Sequence, residues 1–104
     1  MGNGVRRIDF AAINRAAMGR VLDLLSRWPP DGKLEGHEFV AINPRRPDRR
    51  RGSFRINVES GKWADFAIGV KGGDIVSLAA YLAGVGQGAA AKELAEMLGV
   101  DLHE

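Results

Sequence analysis

Apolar residues recur at steps of three and four near the start of the chain, which is the spacing of one face of an α-helix. Asp9 stands at the position of an N-cap, and Pro29-Pro30 ends the pattern because proline lacks the backbone donor that a helix needs. The pattern predicts one helix over 9–28 and a loop over 30–36. The apolar face consists of Phe10, Ile13, Ala17, Val21, Leu24 and Trp28.

The spacing changes to strict alternation in the middle of the chain, which is typical of half-buried strands. Apolar and polar residues alternate over 53–58, and the Glu59-Ser60-Gly61 turn leads into a returning strand over 62–66. A further strand is expected over 37–42. The pattern therefore predicts a small antiparallel sheet of about three strands within 37–67.

Glycines separate two more apolar stripes near the end of the chain. They predict helices over 74–84 and 87–98, with Asp74 as the N-cap of the first and Gly99 at the end of the second. We expect a single α+β domain over 1–104, in which the sheet packs against the N-terminal helix and the two C-terminal helices.

Composition narrows the classes of function. The chain has 104 residues, 45% of them hydrophobic, and no apolar run approaches the roughly 20 residues of a membrane span. We expect a cytoplasmic protein without a membrane partner, because the start has no apolar signal core. With no cysteine, and with His37 and His103 far apart, neither a disulfide nor a zinc site is expected, and no other cofactor is implied. The sequence contains no recognisable pair of a nucleophile and a general base, so we do not expect an enzyme.

The net charge is only +2, but the charge is unevenly distributed. Between positions 45 and 55 six arginines face a single acid, Asp48. Arginine holds phosphate oxygens with paired hydrogen bonds, so this arginine loop predicts contact with a nucleic-acid backbone; the alternative is a solvated loop. The predicted backbone contacts are Arg45, Arg46, Arg49, Arg50 and Arg51, extended along the sheet by Arg55, Asn57, Lys62 and Lys71.

Three further features have two interpretations each. Trp63 is either an exposed platform that stacks a base or a core residue, and it is expected to be partly exposed if Phe66 is in the core. Lys71-Gly72-Gly73-Asp74 is either a phosphate cradle or a tight turn with a helix cap, and the missing nucleotide-loop pattern favours the turn. Asp65 and Asp74 are either metal-binding carboxylates or structural acids, and their spacing requires no metal.

Three segments together resemble the zinc-ribbon domain at the front of bacterial DNA primases. They are Ser53-Phe54-Arg55-Ile56-Asn57, Trp63-Ala64-Asp65-Phe66 and Gly72-Gly73-Asp74-Ile75-Val76-Ser77-Leu78. In that pattern one zinc-ligand pair would fall within 43–47 and the other near Asp65 and Ile68, yet none of these positions holds a thiol or a histidine. The sequence as a whole resembles the metal-free N-terminal domains of phage- and plasmid-type primases and primase-helicases more than it resembles the zinc-binding domains.

The resemblance implies a non-catalytic module for DNA replication that binds single-stranded DNA template, in a phage, plasmid or other mobile element. Primer synthesis would need a separate Toprim catalytic domain. The implied protein partners are that domain or a helicase, in cis or in trans. The alternative is a module that seats such a domain without binding DNA. Losing the metal removes on the order of 10 kcal/mol of folding energy, which flanking helices can offset by burying apolar surface at about 25 cal/mol per Å².

Overall fold

The N-terminal apolar stripe forms two helices rather than one. The computed structural model describes residues 6–29, 31–47 and 51–104, and places α1 at Phe10–Met18 and α2 at Val21–Arg27. The prediction of one helix over 9–28 is therefore wrong at Gly19 and Arg20, where a turn interrupts the helix. Glycine favours such a break because it has low helix propensity. The stripe still points inward in both helices, since Ile13, Ala17, Val21, Leu24 and Leu25 are buried.

The sheet has five antiparallel strands in sequential order, not three. The strands are β1 (Lys33–Glu35), β2 (Glu38–Ile42), β3 (Arg51–Asn57), β4 (Trp63–Asp65) and β5 (Val70–Gly72). The predicted three correspond to β2, β3 and β4. The two missed strands, β1 and β5, lie at the edges of the sheet and have three residues each. Three residues are too few for alternation to be detected in the sequence, so these strands are recognised only by their pairing with a neighbour.

The last two helices agree with their predicted positions. Helix α3 spans Ile75–Ala83 and α4 spans Gln87–Leu98. Asp74 caps α3, because its carboxylate accepts the Ser77 N–H at 2.8 Å while the Ser77 hydroxyl lies 3.4 Å from the Asp74 N–H. Left-handed glycines at 84 and 99 end the two helices.

One core joins the helices to the inner face of the sheet. Its sheet side is formed by Phe39, Ala41, Phe54, Ile56 and Trp63, and its helix side by Ile13, Leu25, Ile75, Leu78 and Leu94. The opposite face of the sheet carries the exposed side chains of Lys33, Lys62 and Lys71. Among the same residues, no helix is long and apolar enough to cross a membrane.

The first and last described segments lie side by side. Ile8 and His103 form an isolated antiparallel bridge. The Asp9 N–H donates to the Leu102 carbonyl at 2.9 Å, and the Glu104 N–H donates to the Arg7 carbonyl at 3.0 Å. These bonds hold the segment before α1 against the segment after α4.

Candidate nucleic-acid interface

A row of cations crosses the outer face of the sheet. The strand register aligns Lys33, Val40, Arg55, Ala64 and Lys71 across all five strands. Neighbouring strands lie about 4.8 Å apart, so the backbones of the two lysines bracket a width of about 19 Å. Lys33 was missed by the sequence analysis, because its strand lies in a segment predicted to be a loop.

The polar residues predicted on this face differ in how far hydrogen bonds within the protein already occupy their side chains. Arg55 donates to Glu38 Oε1 at 3.1 Å and to the Gly52 carbonyl at 2.9 Å, which partly compensates its charge. Asn57 accepts two backbone N–H groups of the following turn through its Oδ1, so its main contact is structural. Lys62 and Lys71 are exposed. All four residues line one shallow depression of about 270 Å³.

The exposed aromatic residue at this depression is Phe66, not Trp63. Trp63 is only 5% exposed and donates its indole N–H to the Ser77 hydroxyl at 2.9 Å, so its interpretation as a stacking platform is not supported. The condition for an exposed Trp63, a core position of Phe66, is not met, because Phe66 is 70% exposed. Phe66 lines the depression together with Lys62 and Lys71. An aromatic ring beside cations can stack a base while the cations hold its phosphate.

The arginine loop begins at the same end of the sheet as Phe66. The Phe66 N–H donates to the Ser53 carbonyl near the start of β3, which places the turn after β4 beside the end of the loop. Arg45 is exposed, but its guanidinium donates to the Tyr81 carbonyl at 2.8 Å and lies 5.0 Å from the Tyr81 ring centroid. Predicted contacts Arg49 and Arg50 lie outside the described residues, as does the side chain of Arg51.

Arg46 does not lie on the predicted phosphate-binding surface. Its side chain is only 10% exposed and forms an ion pair with Asp65 at 3.3 Å. It also donates to the Ser53 hydroxyl at 2.6 Å. The burial of Asp65 explains this position, because a buried carboxylate is stable only where cations and hydrogen-bond donors surround it.

Asp65 is the centre of a buried polar cluster. It is 0% exposed and accepts hydrogen bonds from Asn43 Nδ2 at 2.9 Å and from the Ala67 N–H at 3.0 Å. Burial alone would raise the pKa of Asp65, but donors on Asn43, Ser53, Ala67 and Arg46 outweigh it and hold that pKa below its usual value. The carboxylate is therefore ionised at neutral pH.

The double-glycine turn has a packing role. Gly72 lies against the Trp63 indole and the Ser77 hydroxyl, with no room for a Cβ. The Asp74 carboxylate occupies the start of α3, where a phosphate would have to bind. These contacts support the turn-and-cap interpretation of Lys71-Gly72-Gly73-Asp74.

A separate apolar groove lies between α2, α3 and α4, with a volume of about 400 Å³. Leu82, Leu94 and Met97 contribute to its walls, and Met97 is 47% exposed. Arg27 and Glu93 also line it and give it groups of opposite charge.

Comparison with known proteins identifies the fold. No family model matches the chain, and no curated protein matches it. Two chains of solved structures do match. One is the Aquifex aeolicus primase, in a crystal structure of its zinc-binding and RNA polymerase domains; it is 23% identical, with a TM-score of 0.75 over 92% of this chain and 23% of that chain. The protein thus has a primase-related α+β fold and spans about a quarter of that primase chain.

Zinc does not fit the residues found here. The resemblance places metal ligands within 43–47 and near Asp65 and Ile68, and the structure fills this region with Asn43, Arg46 and Asp65 bonded to one another. A guanidinium 3.3 Å from the Asp65 carboxylate would repel a cation. In the described ranges, no three His, Cys, Asp or Glu residues come together in a way that could hold a metal.

Proposed function

We propose that this chain is a non-catalytic, cofactor-free module of a primase-type replication protein, of a phage, plasmid or other mobile element, that binds single-stranded DNA template. Primer synthesis would be carried out by a Toprim catalytic domain or assisted by a helicase, in cis or in trans. The observation that carries the proposal is the cation row Lys33–Arg55–Lys71 beside the exposed ring of Phe66. The primase-related fold supports the replication context.

The surface suits a single strand for two physical reasons. Cations along the row neutralise backbone phosphates, a contact that any base sequence can make. The ring of Phe66 needs an unpaired base, because bases in a duplex already stack on one another. Arg45, and the loop residues Arg49–Arg51, would extend the backbone contact beyond the end of the sheet.

Replacing Phe66 tests the stacking contact. Stacking contributes about 1–3 kcal/mol per base, so Phe66→Ala should weaken binding of a short labelled single-stranded oligonucleotide by about 5- to 150-fold in an anisotropy titration. Ile68→Ala is the matched control, because Ile68 lies in the same turn, is 50% exposed and has no ring. Equal affinities of both variants and the unchanged protein would refute the stacking role of Phe66.

A salt series tests the cation row. The logarithm of affinity should fall steeply with the logarithm of salt concentration, and Lys33→Ala and Lys71→Ala should each reduce the slope by about 0.7. Lys92→Ala, an exposed lysine on α4 away from the sheet, should leave the slope unchanged. Weak binding that is insensitive to salt in every variant would refute DNA binding.

The helical groove favours a second candidate function, docking of a Toprim primase domain or a helicase. Its occupant would be an apolar helix of that partner, because apolar side chains line the groove and charged groups of both signs accompany them. Met97→Glu should abolish co-purification with a purified Toprim primase domain, whereas Leu22→Glu, at an exposed position that does not line the groove, should not. Docking without DNA affinity would favour this function over the first.

A further inference from the structure

Two segments that are distant in the chain meet beneath the proposed interface. One is the root of the arginine loop, where Asn43 and Arg46 lie, and the other is the end of β4 at Asp65. The first segment continues into Arg45 and the loop, and the second continues directly into Phe66. Whatever joins these two segments therefore fixes the relative positions of the groups proposed to contact DNA.

We propose that Asn43, Arg46 and Asp65 form a clasp that takes the place of a structural metal. Zinc in a ribbon links two loops by binding side chains of both. Here the Asp65 carboxylate takes the central position, and a guanidinium and an amide donate to it from the opposite loop. The proposal concerns folding and holds whether or not the chain binds DNA.

The clasp residues and their hydrogen-bond partners belong to four chain segments, more than the two loops that zinc joins in a ribbon. Asn43 and Arg46 belong to the loop after β2, Ser53 to β3, Asp65 to β4 and Tyr81 to α3. The Asn43 amide donates to Asp65 and also to the Tyr81 hydroxyl, each at 2.9 Å, and its Oδ1 accepts the Arg45 N–H at 2.9 Å. The Asp65 carboxylate is thus bonded directly to the loop after β2, and through Asn43 and Arg46 it is linked to α3 and β3.

The cluster meets the physical requirements of a buried ion pair. A carboxylate that is 0% exposed and a guanidinium side chain that is 10% exposed stabilise a fold only when their remaining hydrogen-bonding groups are satisfied. Every buried side-chain nitrogen or oxygen of the described residues has a hydrogen-bond partner. Removing either charge alone would leave the other buried without compensation.

A double-mutant cycle tests the clasp. Arg46→Met and Asp65→Asn should each raise the unfolding equilibrium constant by on the order of 100-fold or more, and the double variant should raise it far less than their product. The matched pair is Arg55 and Glu38, bonded at 3.1 Å on the same sheet but 33% and 40% exposed. Arg55→Met and Glu38→Gln should each cost less than about 5-fold.

Three results would overturn the proposal. The first is that Arg46→Met and Asp65→Asn destabilise the protein no more than the Arg55 and Glu38 variants do. The second is that the double clasp variant raises the unfolding constant by the product of the two single effects. The third is a stability of the unchanged protein that falls with a chelator or rises with zinc chloride, since the clasp needs no metal.

A milder variant keeps the test decisive if Asp65→Asn fails to fold. Tyr81→Phe removes only the hydroxyl that accepts from Asn43, so it should fold and raise the unfolding constant by about 2- to 13-fold. The Ala67 amide hydrogen, which donates to Asp65, should then exchange faster, while amide hydrogens inside α4 should not. Unchanged exchange at Ala67 together with unchanged stability would refute a role for Tyr81 and, with it, the linked clasp.

Discussion

Replacing Gly72 by alanine is expected to destabilise the fold, because this residue lies against the Trp63 indole. A Cβ at Gly72 would be 2.5 Å from the Ser77 hydroxyl and nearer still to the indole nitrogen. The ring cannot move aside easily. Trp63 is 5% exposed, and its ring lies edge-on to Phe54 with the centroids 6.3 Å apart. The added methyl group must therefore displace either the indole or the start of α3.

The magnitude follows from two contributions. Overpacking a dense core costs about 1–3 kcal/mol. Displacing the indole also breaks the hydrogen bond from Trp63 to Ser77, and an indole N–H left buried without a partner costs about 1–3 kcal/mol more. Since the two contributions relieve each other in part, we expect a loss of about 2–4 kcal/mol in the free energy of unfolding.

Gly73 provides the control. A Cβ at Gly73 would meet no atom within 4 Å, and its φ lies outside the left-handed region. Gly73→Ala should therefore be neutral or stabilise by up to about 1 kcal/mol, since alanine lowers the entropy of the unfolded chain. Urea unfolding followed by far-ultraviolet circular dichroism measures both variants. Equal changes in the two variants, or no loss for Gly72→Ala, would refute the packing argument.

Three further predictions concern stability. Because the pKa of Asp65 is lowered on folding, its contribution to stability should be complete above the ordinary value of 3.8 and lost as pH falls through the lower folded pKa. The urea midpoint of the unchanged protein should therefore fall in this acidic range, and that of Asp65→Asn should fall less. Asp74→Ala removes the cap of α3 and should cost about 0.5–2 kcal/mol in the same urea assay, and a loss confined to α4 amides in hydrogen exchange would contradict this reason. Leu94→Ala should lower the free energy of unfolding by about 2–5 kcal/mol, whereas Leu22→Ala, at a half-exposed position on α2, should cost far less; similar losses would contradict the assigned core.

The sequence predicted those helices and strands that are long enough for the spacing of their apolar positions to be recognised. Alternation in β3 placed Phe54 and Ile56 on the same face of the strand, and both are 0% exposed. The helices after Asp74 and before Gly99 were predicted from caps and stripes, which are local signals. The edge strands depend on pairing between distant residues, which periodicity does not encode. The break at Gly19 was missed because the apolar spacing continues across it.

The sequence predicted that the candidate interface is rich in cations, but it did not predict which of the named side chains are exposed there. Alternation correctly placed Trp63 and Asp65 on one face of β4. It could not say which face the helices cover, so it left open whether the ring of Trp63 is exposed or buried. Arg46 was predicted to contact phosphate together with the other arginines of its loop, because the sequence alone does not distinguish it from them. Its burial depends on Asp65, which lies 19 positions further along the chain.

The bridge between Ile8 and His103 gives the fold a mechanical property. The two segments run antiparallel, and Arg6 reaches the Glu104 carbonyl, so Arg6 and Glu104 lie side by side at one edge of the fold. A force pulling these two residues apart would load the backbone hydrogen bonds between the segments one at a time, as in a zipper, instead of all together in shear. Single-molecule stretching from the two ends should therefore open the terminal pair at low force, before the sheet and the core yield.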